Sequence, residues 1–126
     1  MSGTFTITLT ISRQADAGDA KGSFAPRNFP LNLPGLTDDE IQFKIPAGAV
    51  DLTLTLPSVG TPQLVFIRSD QPISYKRNAE TVVNQIGTGG YSLDAGSPAS
   101  GVALTQLLFS NPGTVPATAY VLIAGV

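Results

Sequence analysis

The chain opens on an alternation. Phe5, Ile7, Leu9 and Ile11 are interleaved with Thr4, Thr6, Thr8, Thr10 and Ser12. Successive side chains of a strand point to opposite faces, so this spacing predicts a strand with one apolar and one hydroxyl face. Threonine is β-branched and keeps its face both polar and extended. The pattern breaks between Gln14 and Phe29, where Asp-Ala-Gly-Asp-Ala-Lys-Gly leads to Pro26 and then Pro30. That density of turn formers predicts a long loop or arm at about 14–29. Leu31 and Leu33 predict a short edge segment ending at Pro34-Gly35. Alternation returns at Ile41, Phe43 and Ile45 and stops at Pro46-Ala47-Gly48. It returns again at Leu52, Leu54 and Leu56, with Asp51, Thr53 and Thr55 opposite and Pro57 at the end.

The continuous run Leu64 to Ile67 predicts a strand buried on both faces. Asp70-Gln71-Pro72 then predicts a turn into a hairpin partner, Ile73 to Lys76. Tyr91-Ser92-Leu93 is a short strand between glycine-rich segments. Val102 to Phe109 is another, stopped by Asn111-Pro112-Gly113, and Ala119 to Ile123 is the last. No stretch sustains a 3.6-residue period over three turns, and no internal repeat emerges. The expectation is one domain over 1–126, all-β, a sandwich or jelly roll of about eight short, mainly antiparallel strands. Phe5, Ile7, Leu9, Ile11, Leu52, Leu54, Leu56, Phe66, Leu108 and Val121 are the expected contributors to its core, or to a core shared between subunits.

Composition narrows the chemistry. At 126 residues the chain fits one domain with a core of its own. It has no histidine, cysteine or tryptophan. Without histidine or cysteine the commonest general base, the thiolate nucleophile and most metal ligands are missing. Serines 58, 69, 74, 92 and 110 therefore have no imidazole to activate them, and a Ser-His-Asp triad is excluded. Ser-Lys chemistry is formally open to Lys44 or Lys76, but no motif supports it. Charged residues are 13% of the chain, against about 25% in an average soluble domain. Such a surface repels its copies weakly and suits assembly. Apart from Lys76-Arg77 the cations are single, so no basic stripe points to nucleic acid. No apolar run approaches the ~20 residues of a membrane helix. The expectation is a non-enzymatic protein with no cofactor, no metal and neither nucleic-acid nor membrane partner.

Three clusters invite chemistry. Asp38-Asp39-Glu40 is the densest acidic group, but neighbours in an extended chain face opposite ways, and the plainer reading is a solvated turn into the next strand. Asp16 to Gly22 has Gly18 and Ala20 where a calcium loop needs oxygen ligands. Gly87 to Gly90 lacks the Lys-Ser/Thr that would follow in a phosphate loop, which leaves a flexible turn. Tyr75, Tyr91 and Tyr120 offer stacking platforms for sugars or bases, although tyrosines in strands more often pack half-buried.

The second half carries a resemblance. Leu64-Val-Phe-Ile-Arg-Ser-Asp-Gln-Pro-Ile-Ser-Tyr-Lys-Arg-Asn78 is followed by a glycine-rich stretch. Then come Leu107-Leu-Phe-Ser-Asn-Pro-Gly113 and Ala119-Tyr-Val-Leu-Ile-Ala-Gly125. From Leu64 to Val126 this cadence resembles small virion structural proteins of tailed bacteriophages, of the capsid-decoration, neck or tail-accessory kind. The resemblance implies a β-sandwich present in many copies, a homo-oligomer that binds other virion proteins such as the major capsid protein. The 14–29 arm would supply contacts through Phe24, Arg27 and Phe29, because phenylalanine on an extended arm is suited to fill a neighbour's pocket. Fold-back of both rings over the subunit's own core is the alternative for that arm. A stand-alone carbohydrate-binding module with Tyr91 or Tyr120 as platform is the alternative function. Met1-Ser2-Gly3-Thr4 lacks the basic and apolar regions of a signal peptide, so the expected route is synthesis in a host cytoplasm and incorporation into a virion.

Overall fold

The computed structural model describes residues 3–18, 20–56, 62–78, 80–95 and 104–126, the side chains of Phe24, Thr37 and Ala95 excepted. Among these residues there is no helix, and nine strands run β1 (Gly3–Arg13), β2 (Phe24–Ile45), β3 (Leu52–Thr55), β4 (Pro62–Ser69), β5 (Ile73–Arg77), β6 (Asn84–Ile86), β7 (Tyr91–Ala95), β8 (Gln106–Ser110) and β9 (Ala117–Gly125). They form a five-stranded sheet, β1-β2-β9-β4-β7, and a four-stranded sheet, β3-β8-β5-β6. Every pairing is antiparallel. The chain is an all-β protein with the layout of a sandwich.

The core lies between the sheets. Ile45, Val65, Ile67, Ala119, Val121 and Ile123 face it from one side, and Leu54, Ile73, Tyr75, Ile86, Leu107 and Phe109 from the other. Alternation places them there: Thr53 and Thr55 stay exposed while Leu54 between them is buried. Phe109 anchors the layer, with its ring centroid 5.7 Å from Phe43 and 6.3 Å from Tyr75. Asn111 is buried at the end of β8. Its Nδ2 donates to the carbonyls of Ile45 at 3.2 Å and Val115 at 2.9 Å, and its Oδ1 accepts from the Gly113 amide at 3.0 Å.

Four expectations need correction. The segment 24–29 is not loop: it begins β2, which continues through Pro34-Gly35 to Ile45, so the connecting turn is confined to 14–23. Asp38-Asp39-Glu40 is mid-strand, opposite Ala124, Ile123 and Leu122, with Asp38 and Glu40 on one face and Asp39 on the other. The β4–β5 connection is no hairpin, because β4 and β5 belong to different sheets. Ser69 Oγ donates to the Gln71 carbonyl at 2.6 Å, and Asp70 Oδ1 accepts from the Thr118 amide at 2.8 Å. These bonds fold the chain into an arch between layers. In β8, Leu107 and Phe109 point inward and Leu108 is only partly buried, one position out of step with the sequence reading.

Candidate interaction surface

The two longest strands leave the sandwich together. β2 pairs with β9 from Thr37 to Ile45 and with β1 from Phe24 to Leu36, so its first half and β1 form a two-stranded ribbon. The pairs Phe5–Leu33, Ile7–Leu31, Leu9–Phe29 and Ile11–Arg27 stand on one face. Thr6–Asn32, Thr8–Pro30 and Thr10–Asn28 stand on the other, where Thr10 Oγ1 donates to Asn28 Oδ1 at 2.9 Å. Threonine alternation in β1 and asparagine–proline alternation in β2 thus match across the ribbon.

The Pro34-Gly35 step decides where that apolar face looks. Between the pairs Gly3–Leu36 and Phe5–Leu33, β2 has one more residue than β1. Gly35 sits at φ +71°, the left-handed region glycine reaches without steric cost. This is a bulge, and one extra residue transfers every following side chain to the other face. Ile41, Phe43 and Ile45 point between the sheets, but beyond the bulge Leu33, Leu31 and Phe29 point to the outer side. There Leu33 and Leu36 are buried with Leu64 and Ala124, with Phe5, Ile7, Leu31 and Leu122 packed around them. Leu64 thereby becomes buried on the side of β4 away from the main core, as the run Leu64 to Ile67 led one to expect.

Burial fades toward the ribbon's tip. Phe5, Ile7 and Leu31 are partly buried, whereas Leu9 is 41%, Ile11 45% and Phe29 53% exposed. At the tip, Arg13 Nη1 donates to the Gly22 carbonyl at 2.9 Å and the Ala15 amide to Ser23 Oγ at 2.7 Å. Of the residues singled out for an arm, Arg27 and Phe29 lie side by side on this apolar face. Phe24 opens β2 opposite Arg13, and its side chain is outside the described residues. Leu9 and Ile11, expected in the subunit's core or in one shared between subunits, are exposed within their own chain. The available signal was that alternating residues run on both sides of the turn, at 5–11 and 29–33.

The outer face of the five-stranded sheet continues the same apolar surface. Cross-strand pairing places Phe66 between Leu122 and Leu93, and Arg68 between Tyr120 and Tyr91. The Phe66 ring centroid is 5.8 Å from Tyr91 and 6.2 Å from Tyr120, and Tyr91 is 60% exposed. Burial pushes the Tyr120 phenol up from its ordinary range, helped by the charge of Glu40 and by the hydrogen bond the phenol donates to that carboxylate. Beside them a polar groove of about 460 Å³ is lined by Gln42, Arg68, Asp70, Thr88, Thr118 and Tyr120 among others. At the end of the sandwich away from the ribbon, Ala49, Pro72, Ile73, Gln85, Ile86 and Asn111 help to line a second groove of about 580 Å³.

Among the described residues no group of three or more Asp or Glu side chains converges on a point that would hold a metal ion. No protein-family model, curated protein or solved structure matches this chain. What fold and surface define is an antiparallel β-sandwich extended by a long, half-uncovered two-stranded ribbon.

Proposed function

We propose that this chain is a non-enzymatic structural subunit of a larger assembly, and that the ribbon is the element through which it grips a neighbour. The observation that carries the reading is the exposed apolar face of Leu9, Ile11 and Phe29 on a ribbon that its own sandwich covers only at the root. A two-stranded ribbon is marginally stable in water unless something packs on it. Covering what each of these half-exposed side chains still shows to water contributes about half of the 1.5–3 kcal/mol of a full burial. The finer reading is a decoration protein of a tailed-phage capsid, with neck or tail-accessory protein as its variant. Its support is the cadence of Leu64 to Val126 together with the low charge.

Sedimentation velocity over a range of concentrations tests the assembly. Self-association, or co-sedimentation with particles built from a capsid protein encoded beside this gene, is expected; an inert monomer in both settings refutes the reading. The virion assignment requires capsid, portal or tail genes next to this one. One observation favours a second reading as a carbohydrate-binding module: Tyr91 stands exposed beside the polar groove of Gln42, Arg68 and Asp70. Saccharide binding that disappears on removal of the Tyr91 ring would select it.

A further inference from the structure

We infer that the receptor for the ribbon tip is the outer face of the five-stranded sheet of a second copy, so that neighbouring copies exchange ribbons. The inference rests on the assembly reading and names its partner. Its first ground is an arrangement already present within one chain. The outer face takes the ribbon's apolar side at the root, where Leu33 and Leu36 bury Leu64 and Ala124. Both surfaces then continue uncovered: the ribbon through Leu9, Ile11 and Phe29, and the sheet through Leu93 and Tyr91 with Phe66 partly buried beside them. Each remnant is chemically the partner that the other has at the root.

Charge does not oppose ribbon-to-sheet contact: residues 3–36 carry Arg13, Lys21 and Arg27 against Asp16 and Asp19, and the strands of the outer face carry Asp38 and Glu40 against Lys44 and Arg68. Strand addition along the outer side of β2 is disfavoured by Pro26 and Pro30, which have no N–H to donate.

Area supports exchange over a single contact. An exposed tip two strands wide and about 20 Å long offers on the order of 200 Å². Stable pairs bury about 800 Å² on each side. If each copy gives a tip and also receives one on its outer face, the contact rises to roughly 400 Å² a side, at the low end of weak, concentration-dependent association.

Complementation between two variants tests this. Leu9→Ser with Phe29→Ser removes the tip, and Tyr91→Ser with Leu93→Ser removes the receptor. All four residues are exposed within their own subunit, and thermal unfolding of each variant as a monomer confirms that it folds. Each variant is expected to self-associate at least about tenfold more weakly than the native chain. An equimolar mixture, one variant fluorescently labelled, is expected to recover part of the association, since it restores one intact tip-on-face contact. Native-like association of the receptor variant, or a mixture with no recovery, overturns the exchange. If only the tip variant is impaired, the ribbon still assembles and only the proposed receptor is wrong. A native chain that never associates removes the assembly reading itself.

Discussion

Replacing Gly35 probes whether the bulge aims the ribbon. Its φ of +71° with no atom near a new Cβ means that Gly35→Ala meets no clash and differs only in backbone strain. An L-residue in the left-handed region costs about 1–2 kcal/mol, and asparagine tolerates it better than alanine. The expected order of stability at the root is glycine, then asparagine, then alanine. Inserting one alanine between Gly35 and Leu36 is the stronger perturbation. With a second extra residue the ribbon turns over, and Thr8 and Pro30 replace Ile7 and Leu31 on the side facing Leu64. Leu33, buried to 5% exposure, would leave its site, as would the partly buried Phe5 and Leu31. One full and two partial burials amount to roughly 3–5 kcal/mol. The loss is local, so the assay is amide hydrogen exchange resolved along the chain. Residues 5–11 and 27–33 should lose most of their protection in the insertion variant, while β4, β8 and β9 keep theirs. Full protection of the ribbon after insertion would show that the bulge does not set its face. So would Gly35→Ala exchanging like the native chain at the ribbon root.

Two further outcomes concern the sandwich. Asn111→Ala strips a donor from the Ile45 and Val115 carbonyls and an acceptor from the Gly113 amide; it should destabilise by about 2–4 kcal/mol, read from the urea midpoint, with Asn111→Asp at least as damaging because a carboxylate oxygen would face the carbonyls. Tyr120 has its pKa raised by burial and by Glu40, so its contribution is complete below the ordinary phenol pKa of 10.0 and lost as pH rises through the higher folded value. Unfolding followed from pH 9 upward should show the native chain losing stability that Tyr120→Phe does not lose, and parallel curves would remove Glu40 as a partner.

What was legible in the sequence was local. A period of two at Phe5–Ile11, Ile41–Ile45 and Leu52–Leu56 specifies strands whatever surrounds them, because side-chain alternation is a property of the extended backbone itself. Proline and glycine at 46–48, 72 and 112–113 stop strands for equally local reasons, one fixing φ and the other freeing it. The all-β class follows from those two facts. Alternation cannot say which surface a face will meet. Leu9 and Leu54 have the same neighbours in sequence, threonine on either side, yet one is exposed and the other buried. The difference lies in what the topology places opposite each: β8 and the facing sheet cover Leu54, whereas Leu9, opposite Phe29 on the ribbon, stays 41% exposed. Pro34-Gly35 read as a stop because proline usually ends a strand. In the fold it is a bulge within β2, made tolerable because β1 pairs on one side and β9 takes over beyond it. Likewise Asp70-Gln71-Pro72 has the chemistry of a turn, but whether a turn closes a hairpin or arches between sheets depends on which strand edges are free when it forms. Here β9 and β7 take both edges of β4, and β5 has to pair elsewhere.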